Sequence, residues 1–155
     1  MKRRGAEQNT QASRMRTRDF LSEVVEFARV QLRGELSKAC IVGPMASLIK
    51  MHYGDASVHY EVWVQRRHGI IEVGLHFEGT QERNAAYLQA LQARSKEIRA
   101  ALGRSIEFEH WTRSWTRIHE HIPLEKLDSD MLVLVGHRLA RMISVLQPMV
   151  REFEA

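Results

Sequence analysis

Between Val58 and Glu78 the chain alternates apolar and polar residues with a period of two. Tyr60, Val62 and Val64 alternate with His59, Glu61 and Trp63; Ile71, Val73, Leu75 and Phe77 alternate with Glu72, Gly74, His76 and Glu78. Successive strand side chains point to opposite faces, so each run carries one apolar and one mostly polar row. The linker Gln65-Arg66-Arg67-His68-Gly69 is short, and Gly69 can take the positive φ of a tight turn. The pattern predicts an antiparallel hairpin with one covered face.

Other segments read as its cover or continuation. From about Thr17 to Arg33, Phe20, Val24, Phe27 and Gln31 recur at helical spacing, with Thr17 or Asp19 as cap and Gly34 past the end. Ala39–Val42 reads as a short strand or buried turn, and Leu48–Tyr53 as a short strand. Thr80 caps a helix over 81–102, with Leu88, Leu91, Ile98 and Leu102 on one face and Gly103 as terminator. Ile106, Phe108 and His110 alternate with Glu107, Glu109 and Trp111, and Thr116 to Ile122 returns as a second hairpin carrying cross-strand Glu and Arg or His pairs. Asp128, Ser129 and Asp130 open a last helix towards Phe153, with Pro148 expected to kink or fray its end. Its apolar opening, MLVLV, suits a core helix or half of an oligomer contact. The order predicts an α+β domain: an antiparallel sheet of two hairpins, about 4–5 strands, with three helices mainly on one face.

Charge divides the chain. Residues 1–18 hold Lys2, Arg3, Arg4, Arg14, Arg16 and Arg18 against Glu7, a net +5, whereas the whole chain is +4. The basicity belongs to a tail, residues 1–16, ahead of a single domain over 17–155. Such a tail either condenses on phosphates or serves as a solvated leader. The lone Cys40 forms no internal disulfide and reads as a small core residue in a reducing, cytoplasmic setting. No apolar run is long enough to span a membrane.

The segments GIIEVGLHFEG and KEIRAALGRSIEFEHW, the returning Thr116-Arg117-Ile118 and the closing Gln147-Pro148-Met149 resemble an uncharacterised bacterial α+β domain family. That family is often found C-terminal to restriction-nuclease-like modules. The resemblance spans roughly residues 18 to 152 and implies an association with DNA-processing systems, but carries no catalytic residue over.

For chemistry, His59, Glu61, Glu72 and His76 share one strand face, and His119 and His121, with His110 on the neighbouring strand, share another. Imidazoles and carboxylates on adjacent strands hold Zn²⁺ or Mn²⁺. A solvated polar face would carry the same letters, and no HExxH or paired CxxC spacing is present, so no metal or cofactor is assigned. A nuclease hairpin needs Glu-x-Lys; Asp55 precedes the hairpin, but Glu61-Val62-Trp63 and Glu72-Val73-Gly74 lack the lysine. GxSxG and phosphate-loop motifs are missing too. Trp63, Trp111 and Trp115, with Arg66, Arg67, Arg113 and Arg117 close in sequence, either form an aromatic and basic binding surface or lie under a helix. The preferred reading is a non-enzymatic accessory domain for a macromolecular partner. DNA or RNA is the first partner to test, contacted through the tail and these hairpin residues. The alternatives are a metal-assisted hydrolase using the sheet's His and Glu residues, and a structural subunit pairing with itself through the last helix.

Overall fold

The computed structural model describes residues 14–155, so Lys2, Arg3, Arg4 and most of the tail lie outside the described residues. In chain order the elements are α1 (Thr17–Arg29), β1 (Cys40–Met45), β2 (Leu48–His52), β3 (Val58–Gln65), β4 (Ile70–Phe77), α2 (Gln81–Gln92), α3 (Ser95–Leu102), β5 (Glu107–His110), β6 (Thr116–Pro123) and α4 (Ser129–Glu154). The strands form one antiparallel sheet in the order β1-β2-β3-β4-β6-β5. The alternating hairpin is its centre, in register from Val58 opposite Phe77 to Gln65 opposite Ile70. Gly69 closes the turn at φ +62°, as its sequence position requires.

The apolar row is the floor of the core. Tyr60, Val62, Val64, Ile71, Val73, Leu75 and Phe77 are all at most 2% exposed. Each large apolar side chain buried this way contributes roughly 1.5–3 kcal/mol, so the row dominates the hairpin's stability. Helices cover it: the Phe77 ring stacks on Tyr87 of α2 at 4.7 Å, and Tyr60 Oη donates to Gln147 Oε1 of α4 at 2.9 Å. The stripe Phe20, Leu21, Val24, Val25 and Ala28 buries α1 beside α4. Caps fix two entries. Thr80 Oγ1 accepts from Arg83 N, and Asp128 Oδ1 from Met131 N.

Three expectations need correction. The sheet has six strands rather than 4–5, because Cys40–Met45 pairs with Leu48–His52 at the edge. Gly43-Pro44 interrupts β1 and most of its side chains are exposed, so no apolar row marks it. Cys40 is accordingly exposed on this edge strand, not a core residue. There are four helices among the described residues rather than three: 81–102 breaks after Gln92, and Arg94 at the break is tied to Glu97 and Glu152. The helix ends also shift. α1 stops at Arg29 and starts without a side-chain cap, and α4 passes Pro148 to Glu154, held by buried Met149 and Val150 beyond the proline. Among the described residues no helix is long and apolar enough to cross a membrane.

Candidate metal centre

The second row of the hairpin reads in the sequence either as a solvated polar face or as one lying under a helix. In the structure His59, Glu61, Glu72 and His76 are between 0% and 4% exposed, and His119 of β6 is 1% exposed. The strand register explains why these residues meet. His59 lies opposite His76, which lies opposite Arg117, which lies opposite Glu109. One row along, Glu61 lies opposite Gly74, Gly74 opposite His119, and His119 opposite Glu107. Side chains at matched positions of neighbouring strands share a face, so four strands deliver one patch of imidazoles and carboxylates. Its cover comes from the sheet itself: the Trp111 ring meets His76 edge-on at 5.4 Å, and the Arg117 guanidinium lies over Trp111 at 4.7 Å.

Gly74 is the hole at the centre of the patch. A Cβ built there would lie 2.9 Å from His119 Cβ and 3.2 Å from His76 Nε2. Only a residue without a side chain lets the two imidazoles close over this point.

Around that hole four residues converge. His59 Nε2 is 3.4 Å from Glu61 Oε1 and 3.5 Å from Glu78 Oε2. His76 Nδ1 is 3.3 Å from the same Glu78 oxygen, and its Nε2 is 3.6 Å from Glu61 Oε2 and 3.3 Å from Glu72 Oε1. One ligand atom from each of His59, Glu61, His76 and Glu78 lies within 4.8 Å of all the others. Around Zn²⁺, with bonds near 2.0–2.2 Å, tetrahedral ligand atoms stand about 3.4 Å apart, so closing on an ion asks for about an ångström of side-chain movement.

Two further observations prepare these groups as ligands. His59 Nδ1 donates to the carbonyl of Ala56 at 3.0 Å. A carbonyl only accepts, which places the proton on Nδ1 and frees the Nε2 lone pair towards Glu61 and Glu78; backbone carbonyls orient metal-ligating histidines in this way. Moreover, His59 Nε2 and both nitrogens of His76 are buried without a hydrogen bond of acceptable geometry. Buried polar atoms are rarely left so, and here His59 Nε2 and His76 Nδ1 lie 3.5 and 3.3 Å from the same Glu78 oxygen.

The electrostatics point the same way. Arg117 donates to Glu72 Oε1 at 2.8 Å and to Glu109 Oε1 at 3.1 Å, so its charge is already shared. Glu61 and Glu78 are left with the imidazoles of His59 and His76. Burial opposes charging His76, but contacts with Glu72 and Glu78 and the field of Glu61 outweigh it and push its pKa up to about 9. For Glu78, too, burial is outweighed: His76, His59 and Lys50 hold its carboxyl below the usual range. A proton on His76 thus offsets charge that a dication would offset when bound.

This carries a stability prediction for the metal-free protein. His76 holds its proton more tightly folded than unfolded, so its contribution is complete below its ordinary value of 6.5 and is lost as pH rises through about 9. Thermal melts in chelator are expected to show a falling melting temperature across that window, and a flatter profile for His76→Gln; superimposable profiles would refute the assignment.

A second group, Glu107, Glu109 and His119, is different. His119 Nε2 bonds Glu109 Oε2 at 3.1 Å and Arg117 bonds the other Glu109 oxygen, so both Glu109 oxygens are already engaged, although His119 Nδ1 is left without a hydrogen bond. Burial and the adjacent Arg117 lower the His119 pKa, against the raising effects of Glu72 and Glu109.

No family model, curated protein or solved structure matches this chain. The site therefore rests on its own geometry.

The structure divides the residues singled out in the sequence between two places. Trp111 and Arg117 cover the polar patch, with the exposed Trp115 ring 5.8 Å from Trp111 and Arg113 exposed in the intervening turn. Trp63, Arg66 and Arg67 lie at the far end of β3, beside Thr17, the residue between Arg16 and Arg18. Among the metal candidates, His59, Glu61, Glu72, His76 and His119 gather, whereas His110 and His121 are exposed. Asp55 is taken up elsewhere, by Ser57 and Arg83. The missed members are Glu78 and Gly74. Their signal was present as the run Glu72, Gly74, His76, Glu78, one face of a strand carried a step past its end.

Proposed function

We propose that this protein is a metal-assisted hydrolase that holds one divalent transition-metal ion through His59, Glu61, His76 and Glu78. The observation that carries the reading is the approach of two buried imidazoles, each with a nitrogen lacking a hydrogen bond, to the carboxylates of Glu61 and Glu78, with His59 pre-set by Ala56 as a lone-pair donor. Two imidazoles and two carboxylates suit Zn²⁺ or Mn²⁺. Glu72 stands behind His76 as its outer carboxylate, and Arg117 fixes Glu72 in turn.

When bound, such an ion polarises an ester or phosphoryl oxygen and lowers the pKa of water. The protein's part is to hold and exclude. Trp111 shields His76 from bulk water, and Glu78, at 14% side-chain exposure the most open of the four ligands, would be the one to yield its place to water, since a catalytic ion keeps one position open. Lys50, paired in register with Glu61 and with its charge reaching Glu78, flanks the patch on the β2 side and favours an anionic substrate. Water adds across the scissile bond, and the leaving group departs with a proton.

The test is turnover of a phosphodiester, a phosphomonoester and a carboxylic ester by chelator-stripped protein before and after Zn²⁺ or Mn²⁺ is restored. Activity restored by the ion and lost in Glu61→Gln is expected. An ion bound tightly with no turnover of any substrate would make it a structural ion instead.

A further inference from the structure

At the opposite end of β3 from the metal cluster, two basic stretches distant in sequence are tied together. Arg66, in the β3–β4 turn, donates to Thr17 Oγ1 at 3.0 Å. Thr17 is flanked by Arg16 and Arg18, so the bond sets four arginines in one corner: Arg16, Arg18, Arg66 and Arg67, all exposed. Over residues 14–19 and 65–69 five arginines stand against Asp19, a net +4, and segment 124–130, joined to both stretches by the Met15 N–Leu127 O and Leu124 N–Gly69 O bonds, adds a net −2 and leaves the corner at +2. Between the stretches opens a cavity of about 340 Å³ lined by Thr17, Ser47, Trp63 and the turn. Trp63 is half-buried and its Nε1 donates to Ser47 Oγ at 3.2 Å, which pins one edge of the indole while the ring lines the cavity.

We infer that this corner binds single-stranded nucleic acid, with one unstacked base in the cavity against Trp63 and the neighbouring phosphates on Arg16, Arg18, Arg66 and Arg67. Single strands are held in this way, by aromatic platforms within a cationic track, because every base has a π-face while every phosphate carries a charge. A duplex keeps its bases stacked and has none to offer the cavity. The site stands apart from the metal reading: from Arg66 to His59 is roughly 20 Å along the strand.

The experiment is titration of a fluorescein-labelled twelve-residue oligothymidylate with the full chain in EDTA across a salt series, so that ion binding plays no part. Affinity that falls steeply with salt is expected. Arg66→Gln/Arg67→Gln should weaken binding about tenfold or more at low salt and flatten the log–log salt slope by about 1.4, near 0.7 for each phosphate contact. Trp63→Leu, which keeps bulk but cannot stack, should weaken it about 5- to 150-fold, whereas Trp63→Phe should retain most of it. Should Trp63→Leu lower the melting temperature, the arginine pair, being exposed, decides alone. No binding at low salt, or binding indifferent to both arginines, would overturn the proposal. So would a matched duplex bound as tightly as the single strand with Trp63→Leu silent.

Discussion

Replacing His59 with alanine is expected to lower Zn²⁺ affinity by about 100-fold or more, since loss of even an outer partner of a metal ligand costs about 10- to 100-fold. His59 is the best-prepared ligand of the four, because Ala56 fixes its tautomer and its Nε2 has no other hydrogen-bond partner. The carboxylates provide the sharper contrast. Glu61→Gln and Glu78→Gln keep shape and remove one charge from a patch where Glu61, Glu72 and Glu78 crowd around two imidazoles. If these residues served stability alone, each change would lower the melting temperature of the metal-free protein. If they also serve an ion, the loss in the metal-free protein is confined to their share of the pairing with His76, and the stabilisation on adding metal disappears as well. That stabilisation is about 2.7 kcal/mol in the wild-type chain at a hundredfold excess of ion over Kd. Melts with and without Zn²⁺ read both quantities on the same samples.

Gly74→Ala is expected to be the more disruptive of the two glycine-to-alanine changes in the central hairpin. The added Cβ would meet His119 Cβ at 2.9 Å and the Ile118 carbonyl at 3.3 Å, neither of which is the free end of a flexible side chain. β4 and β6 are paired through this position, so the pair must part or twist. Overpacking of this kind costs about 1–3 kcal/mol, or roughly 2–12 °C in melting temperature for a domain of this size. The same methyl stands 3.2 Å from His76 Nε2 and would push that ring off the ligand cluster, so metal affinity should fall together with stability. At Gly69, by contrast, no atom lies within 4 Å of an added Cβ; Gly69→Ala meets only the backbone strain of φ +62° and should leave metal binding intact.

The apolar half of the hairpin was fully legible in the sequence, and the polar half was not, for one physical reason. Alternation reports which residues share a face, and it placed His59, Glu61, Glu72 and His76 together correctly. Whether that face is wet depends on residues far along the chain: Trp111 and Arg117 close it, and Glu109 engages Arg117 from the edge strand. Nothing in the run 58–78 encodes them. Glu78 is inconspicuous as a ligand because it lies one residue past the end of β4, although its spacing from His76 continues the strand's period. β1 was obscure because an exposed edge strand needs no apolar row, and the break between α2 and α3 because no glycine or proline announces it. The arginines of the tail and of the hairpin turn were each conspicuous, yet only the Arg66–Thr17 bond shows that they meet.

The most direct test is calorimetric titration of Zn²⁺ into the chelator-stripped chain, with metal content measured after dialysis. One ion per chain is expected, with binding lost in His59→Ala and His76→Ala and unchanged in His110→Ala and His121→Ala, whose rings are exposed. A chain that takes up no ion, or that binds it equally well without His59 and His76, would contradict the metal centre.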